Sequence, residues 1–127
     1  MILHFLIVGF GGALGAMARH GVNMASLKWL GTDFPYGTLT VNIIGSIFIG
    51  LLTGCFAHFA SWSQEIRLFL VVGILGGFTT FSSFSLDTVL LFEKGAYYHA
   101  LFYVLSSFIL SVSGTVAGLW IIRQFVA

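Results

Sequence analysis

Gly76-Gly77-Phe78-Thr79-Thr80-Phe81-Ser82-Ser83-Phe84-Ser85 sits in the middle of an apolar stretch long enough to cross a membrane. Paired glycines followed by two β-branched threonines favour loss of regular helix. Lipid forbids such a break at mid-depth unless the freed backbone is buried in protein or lines a water-filled path. A helical span with a central interruption is therefore the reading on which fold and function both turn.

Working outward, the chain supplies the rest of a membrane domain. It has 127 residues, 58% of them hydrophobic and only 7% charged, with a mean hydropathy of +1.05. Soluble domains carry about 25% charged residues, and a fold this small has too little interior to hide so much apolar surface. Four apolar segments, roughly 3–24, 37–59, 67–92 and 98–123, each approach the ~20 residues a spanning helix needs. The links between them hold Lys28, Asp33, Pro35, Glu65, Arg67, Glu93 and Lys94. Trp29, Trp62, Tyr97, Tyr98 and Trp120 fall near span ends, where amphipathic rings favour the headgroup level. The expected fold is an all-α membrane protein, one domain over residues 1–127, with four transmembrane helices and the third broken near mid-membrane.

A net charge of +1 offers no basic face for nucleic acid. The single cysteine, Cys55, excludes an internal disulfide and a cysteine-based zinc cluster, and reads as a small packing residue. His4, His20, His58 and His99 are scattered near span ends, and no hydrolytic or redox constellation is present, so the chain is not expected to be an enzyme. The first span lacks the basic leader of a signal peptide and is read as a membrane helix. Its glycine cluster, Gly9 to Gly15, echoes a dinucleotide loop but lies in a hydrophobic helix without the βαβ context, and reads as close helix packing.

Orientation is nearly undetermined. With the N-terminus inside, Arg67 and Arg123 face the cytoplasm and Lys28 and Lys94 face out, while Arg19 tilts the balance the other way. The positive-inside rule gives almost no instruction. Insertion in both orientations, with pairing to an inverted copy, is one reading; a weak bias resolved by an assembly partner is the other.

Polar residues recur at membrane depth. Asn42, Ser46, Gly50 and Gly54 stand four apart in the second span, and so share a slowly drifting helix face. Ser46, Gly50 and Gly54 suit a packing seam. Asn42 brings two donors and one acceptor, and serves either as interhelical glue or as a donor to a passing anion. In the fourth span Tyr103, Ser107, Ser111 and Thr115 form a second four-residue stripe. Their hydroxyls either bond back to their own helix or pass a dehydrating ion along. Phe81 and Phe84, three apart, point to a similar side; their positive ring edges can attract a small anion, or the rings can simply pack. Carbonyls freed at the break can bind a cation, although Gly73 and Gly77 also form a close-packing pair.

Gly76 to Ser85, read GGFTTFSSFS, closely resembles the third-helix signature of the Fluc (CrcB) fluoride channels. Gly11-Gly12-Ala13-Leu14-Gly15 followed by Arg19, and Gly37-Thr38 leading to Asn42 and Gly45, are similar to the same family, so the resemblance covers all four spans. It implies a passive fluoride channel in the bacterial inner membrane, built as an inverted, dual-topology homodimer with two parallel pathways. On this resemblance Asn42, Phe81, Phe84, Ser111, Tyr103, Thr115 and Ser107 are fluoride-pathway residues, with Tyr103 and Thr115 at the family's polar-track positions. Gly76 and Thr79 match the positions whose backbone carbonyls hold a central structural sodium ion, with fluoride, membrane lipid and a second copy of the chain as partners. Arg19 matches a structural or vestibule position. Asp87 stands where the family often has glutamate, and Ser107 where relatives can carry asparagine.

Two rivals remain. A proton-coupled multidrug exporter needs an ionisable residue in its cavity, and mid-membrane carboxylates mark proton relays; the first span has no carboxylate and only Asp87 lies within a span, towards its end. A membrane scaffold subunit would explain the small-residue seams but not the phenylalanine pair with its polar tracks.

Overall fold

The computed structural model describes residues 1–59 and 61–126. Among the described residues four helices are long and apolar enough to cross a membrane, and no strand is present. Helix α1 is Ile2–Leu30 and ends at Gly31, whose φ of 82° suits a residue without Cβ. Helix α2, Tyr36–His58, starts directly after Pro35, as expected for a ring that cannot continue a helix backwards. The third span, Gln64–Glu93, divides into α3 (residues 64–78) and α4 (Phe81–Glu93). A turn at Lys94 and Gly95 leads to α5, Tyr97–Val126.

The break expected in the third span is present at Thr79 and Thr80, both extended (ψ 157° and 116°). The first span runs further than the sequence suggested, to Leu30 rather than 24. No proline or positive-φ glycine interrupts it before Gly31, so Arg19 lies well inside the helix. A second difference concerns α3. Residues Leu68–Leu75 are π-helical, and the Gly76 N–H reaches back to the Val71 carbonyl, five residues earlier.

Lipid provides no hydrophobic drive between helices, so contact depends on how closely backbones approach. The seam expected along α2 is present: a methyl group at Gly50 would collide with the Thr115 carbonyl of α5. The α1 glycine cluster serves α3 in the same way, since a methyl group at Gly11 would lie 2.7 Å from the Phe69 carbonyl oxygen. This second contact lies along the π-helical stretch. Side-chain burial is confined to small knots. Val41 and Tyr103 are wholly enclosed, and Phe34, Leu91, Ala100 and Tyr103 form one cluster against which Phe84 packs. Phe10, Phe48, Phe81, Phe108 and Trp120 remain largely on the outside, as expected of a chain whose surroundings are apolar.

Candidate functional site: a groove at the helix break

The break is held open from α2. The Asn42 Oδ1 accepts the Thr80 N–H at 2.9 Å, and Asn42 Nδ2 donates to the Thr80 carbonyl at 3.0 Å. One side chain thus satisfies both backbone groups of a residue that no longer belongs to a helix, which mid-membrane backbone requires. Thr80 then starts α4: its Oγ1 accepts the Ser83 N–H at 3.2 Å, the role for which threonine is favoured at an N-cap. Thr79 ends α3, its N–H and its hydroxyl both donating to the Leu75 carbonyl at 3.0 and 2.9 Å. Space for the Thr79 methyl comes from Gly45, where any side chain would collide with it.

These bonds redirect the donors that an unbroken helix would use. In an α-helix each carbonyl accepts from the N–H four residues ahead. The Thr80 N–H, due to the Gly76 carbonyl, goes to Asn42 instead. The Ser83 N–H, due to the Thr79 carbonyl, goes to the Thr80 hydroxyl.

A groove of about 610 Å³ opens beside the break, between α2, the third span and α5. Asn42 and Ser46 line it from α2, Gly76, Thr79, Phe81 and Phe84 from the third span, and Ser107 and Ser111 from α5. Asn42 carries two amide hydrogens, one of which Thr80 takes. The Ser107 and Ser111 hydroxyl oxygens are buried and have no hydrogen-bond partner among the described residues. Their neighbour Ser106 behaves otherwise, donating back to the Phe102 carbonyl at 2.6 Å. Phe81 and Phe84 are tilted against each other with ring centres 5.5 Å apart. Phe84 also leans on Tyr103 at 5.2 Å, whereas Phe81 is 78% exposed.

Of the residues singled out in the sequence, the groove gathers Asn42, Phe81, Phe84, Ser107, Ser111, Gly76 and Thr79. Tyr103, Thr115, Arg19 and Asp87 are not among its lining residues. The Tyr103 hydroxyl donates to Asp87 Oδ2 at 3.0 Å. Thr115 donates across to the Ser46 carbonyl at 2.9 Å, tying α5 to α2. Asp87 borders a second hollow of about 420 Å³, together with Asn23, Thr38 and Lys94. Sequence reasoning read Thr80 as favouring the break but missed its part as the cap of the following helix, although a threonine immediately before an apolar periodic run is a helix-start signal.

Among the described residues no three His, Cys, Asp or Glu side chains converge. The Gly76 and Thr79 carbonyls, both without their usual helical donors, are oxygens of the kind a hard cation takes as ligands.

The family model for CrcB-like protein, Camphor Resistance (CrcB), matches residues 6–119. The fluoride-specific ion channel FluC of Rhodopseudomonas palustris (strain BisB5) is 53% identical over 119 residues, covering 94% of this chain and 96% of the relative. The protein of that name from Rhodospirillum centenum is 53% identical over 122 residues, covering 96% and 97%. That from Methylobacterium nodulans is 52% identical over 124 residues, covering 98% and 99%. With four apolar spans and a match along nearly its whole length, this chain is a multi-pass integral membrane protein, in bacteria of the inner membrane, and it belongs to the CrcB-like family.

Proposed function

We propose that this chain is a fluoride-specific channel that lets the anion leave the cytoplasm passively, working as an inverted homodimer with two parallel pathways. The observation that carries the reading is the gathering of Asn42, the Phe81–Phe84 pair, Ser107 and Ser111 along one groove, with the buried hydroxyls of both serines unpartnered among the described residues. The names of the relatives, fluoride-specific ion channels at about half identity over the full length, supply the ion.

Fluoride is small and strongly hydrated, so a selective path must replace water with donors at close range. The second amide hydrogen of Asn42 and the hydroxyls of Ser107 and Ser111 supply donors without a fixed cationic side chain, which keeps binding weak enough for exit. The ring edges of Phe81 and Phe84 add weaker positive charge. Exposure of Phe81 suits a contribution from a second copy of the chain. Tyr103 and Thr115 support this path from behind, one by packing against Phe84 and the other by tying α5 to α2. Arg19 and Asp87 serve as structural or vestibule residues. The Gly76 and Thr79 carbonyls would hold a structural sodium ion, which when bound supplies a fixed positive charge at the break.

Fluoride efflux from liposomes containing the purified protein, read with a fluoride electrode, tests the proposal. Fast fluoride loss with chloride retained supports it. Retention of both ions by a folded, reconstituted protein overturns it.

A further inference from the structure

The Asn42 amide belongs to both sides of the site. Asn42 lines the groove, and it commits its amide oxygen and one of its two amide hydrogens to the Thr80 backbone. We infer that Asn42 is a positioning residue for the cation: by holding the Thr80 N–H away from Gly76, it keeps the Gly76 carbonyl available as a sodium ligand. The inference rests on the proposed backbone cation site and assigns a residue that the site depends on.

The physical argument is one of competition. At membrane depth the Thr80 N–H must find an acceptor. In a continuous helix that acceptor is the Gly76 carbonyl, four residues back. Asn42 Oδ1 offers the alternative, and the simultaneous bond from Nδ2 to the Thr80 carbonyl fixes the residue in its extended form. Without the amide, the nearest remaining solution is for the helix to close over the break and for Gly76 to take the Thr80 N–H. Gly45, three residues along α2, acts in the same direction by receiving the Thr79 methyl. The anion pathway and the cation site are therefore mechanically joined through one side chain.

Sodium-dependent thermal stabilisation of the purified protein in detergent, titrated with sodium chloride against N-methyl-D-glucamine chloride, reads the cation site without reading flux. Wild-type protein should be stabilised by sodium with a defined midpoint concentration. Asn42→Leu, which fills similar space without hydrogen bonds, should raise that midpoint by at least about tenfold. Ser111→Ala, on the same groove but away from the break, should leave it in place. Asn42→Asp provides a second variant: its carboxylate can still accept the Thr80 N–H and keep it from Gly76, so the sodium midpoint should stay at or below the wild-type value. A wild-type protein indifferent to sodium overturns the cation site and this inference together. A sodium response in wild type with an unchanged midpoint in Asn42→Leu, or with a midpoint raised as far in Asn42→Asp as in Asn42→Leu, overturns the inference alone.

Discussion

Tyr103 and Asp87 meet through a single hydrogen bond of 3.0 Å, from the Tyr103 hydroxyl to Oδ2, which fastens α5 to α4 behind the Phe84 ring. The ring of Tyr103 is fully enclosed, with Phe34 edge-on at 5.5 Å. Tyr103→Phe keeps that packing and removes only the bond. It should lower stability by about 1–3 kcal/mol, the loss of a hydrogen bond to a half-buried carboxyl group, measured as loss of folded protein on heating in detergent. An unchanged melting curve would mean the Asp87 carboxyl finds another donor.

Ser107 and Ser111 should behave in the opposite way. Their hydroxyls have no partner to lose among the described residues, so replacing both with alanine should leave thermal stability unchanged or raise it slightly. Fluoride efflux from liposomes should fall by about tenfold or more, the effect of losing hydrogen bonds to an anion in transit. A double variant that melts normally and conducts normally would remove these hydroxyls from the pathway.

The two phenylalanines should separate. Phe81 is 78% exposed, so Phe81→Ile should reduce fluoride efflux while leaving the fold of the single chain intact. Phe84 packs against Tyr103 and the enclosed cluster, so Phe84→Ile should reduce efflux and also cost about 1–3 kcal/mol of stability. Melting and efflux measured side by side decide this.

Gly50 faces the Thr115 backbone with no room for a methyl group. Gly50→Ala should force α2 and α5 apart, at a cost of about 1–3 kcal/mol typical of overpacking. The Thr115–Ser46 bond should break with it. The yield of monodisperse protein and its melting temperature are the readouts.

Insertion in both orientations is checked by cysteine-accessibility labelling at each terminus in intact cells. Partial labelling at both ends is the expected outcome. Four spans place both termini on one side, so full labelling at both ends or none at either would mean a single orientation, and would replace the inverted homodimer with a parallel one or with a different partner.

How much of this was readable beforehand depended on whether local chemistry or tertiary contact decided the outcome. The spans and the break were legible, because composition sets the first and the run from Gly76 to Thr80 sets the second. The π-helical stretch Leu68–Leu75 was not. It lies where α3 presses against the glycines of α1, a contact between residues some sixty positions apart. The stripe from Tyr103 to Thr115 was half legible. Four residues turn a helix by roughly 400°, so each step drifts by about 40°. Over three steps that carries the stripe from Asp87, across the groove at Ser107 and Ser111, to the α2 seam at Thr115. Asn42 was flagged as either glue or donor, and its amide is in fact bonded to the Thr80 backbone with one hydrogen left over.

Splitting the third span at Thr79 and Thr80 also divides one helix dipole into two, back to back. α3 ends there with its partially negative carbonyls and α4 begins there with its partially positive amides. Both poles come from peptide groups, which do not titrate and which side-chain substitution does not remove. Polarity of either sign is thus placed deep in lipid without an ionised residue, and an anion attracted by the α4 end should feel the same pull in acid as in alkali.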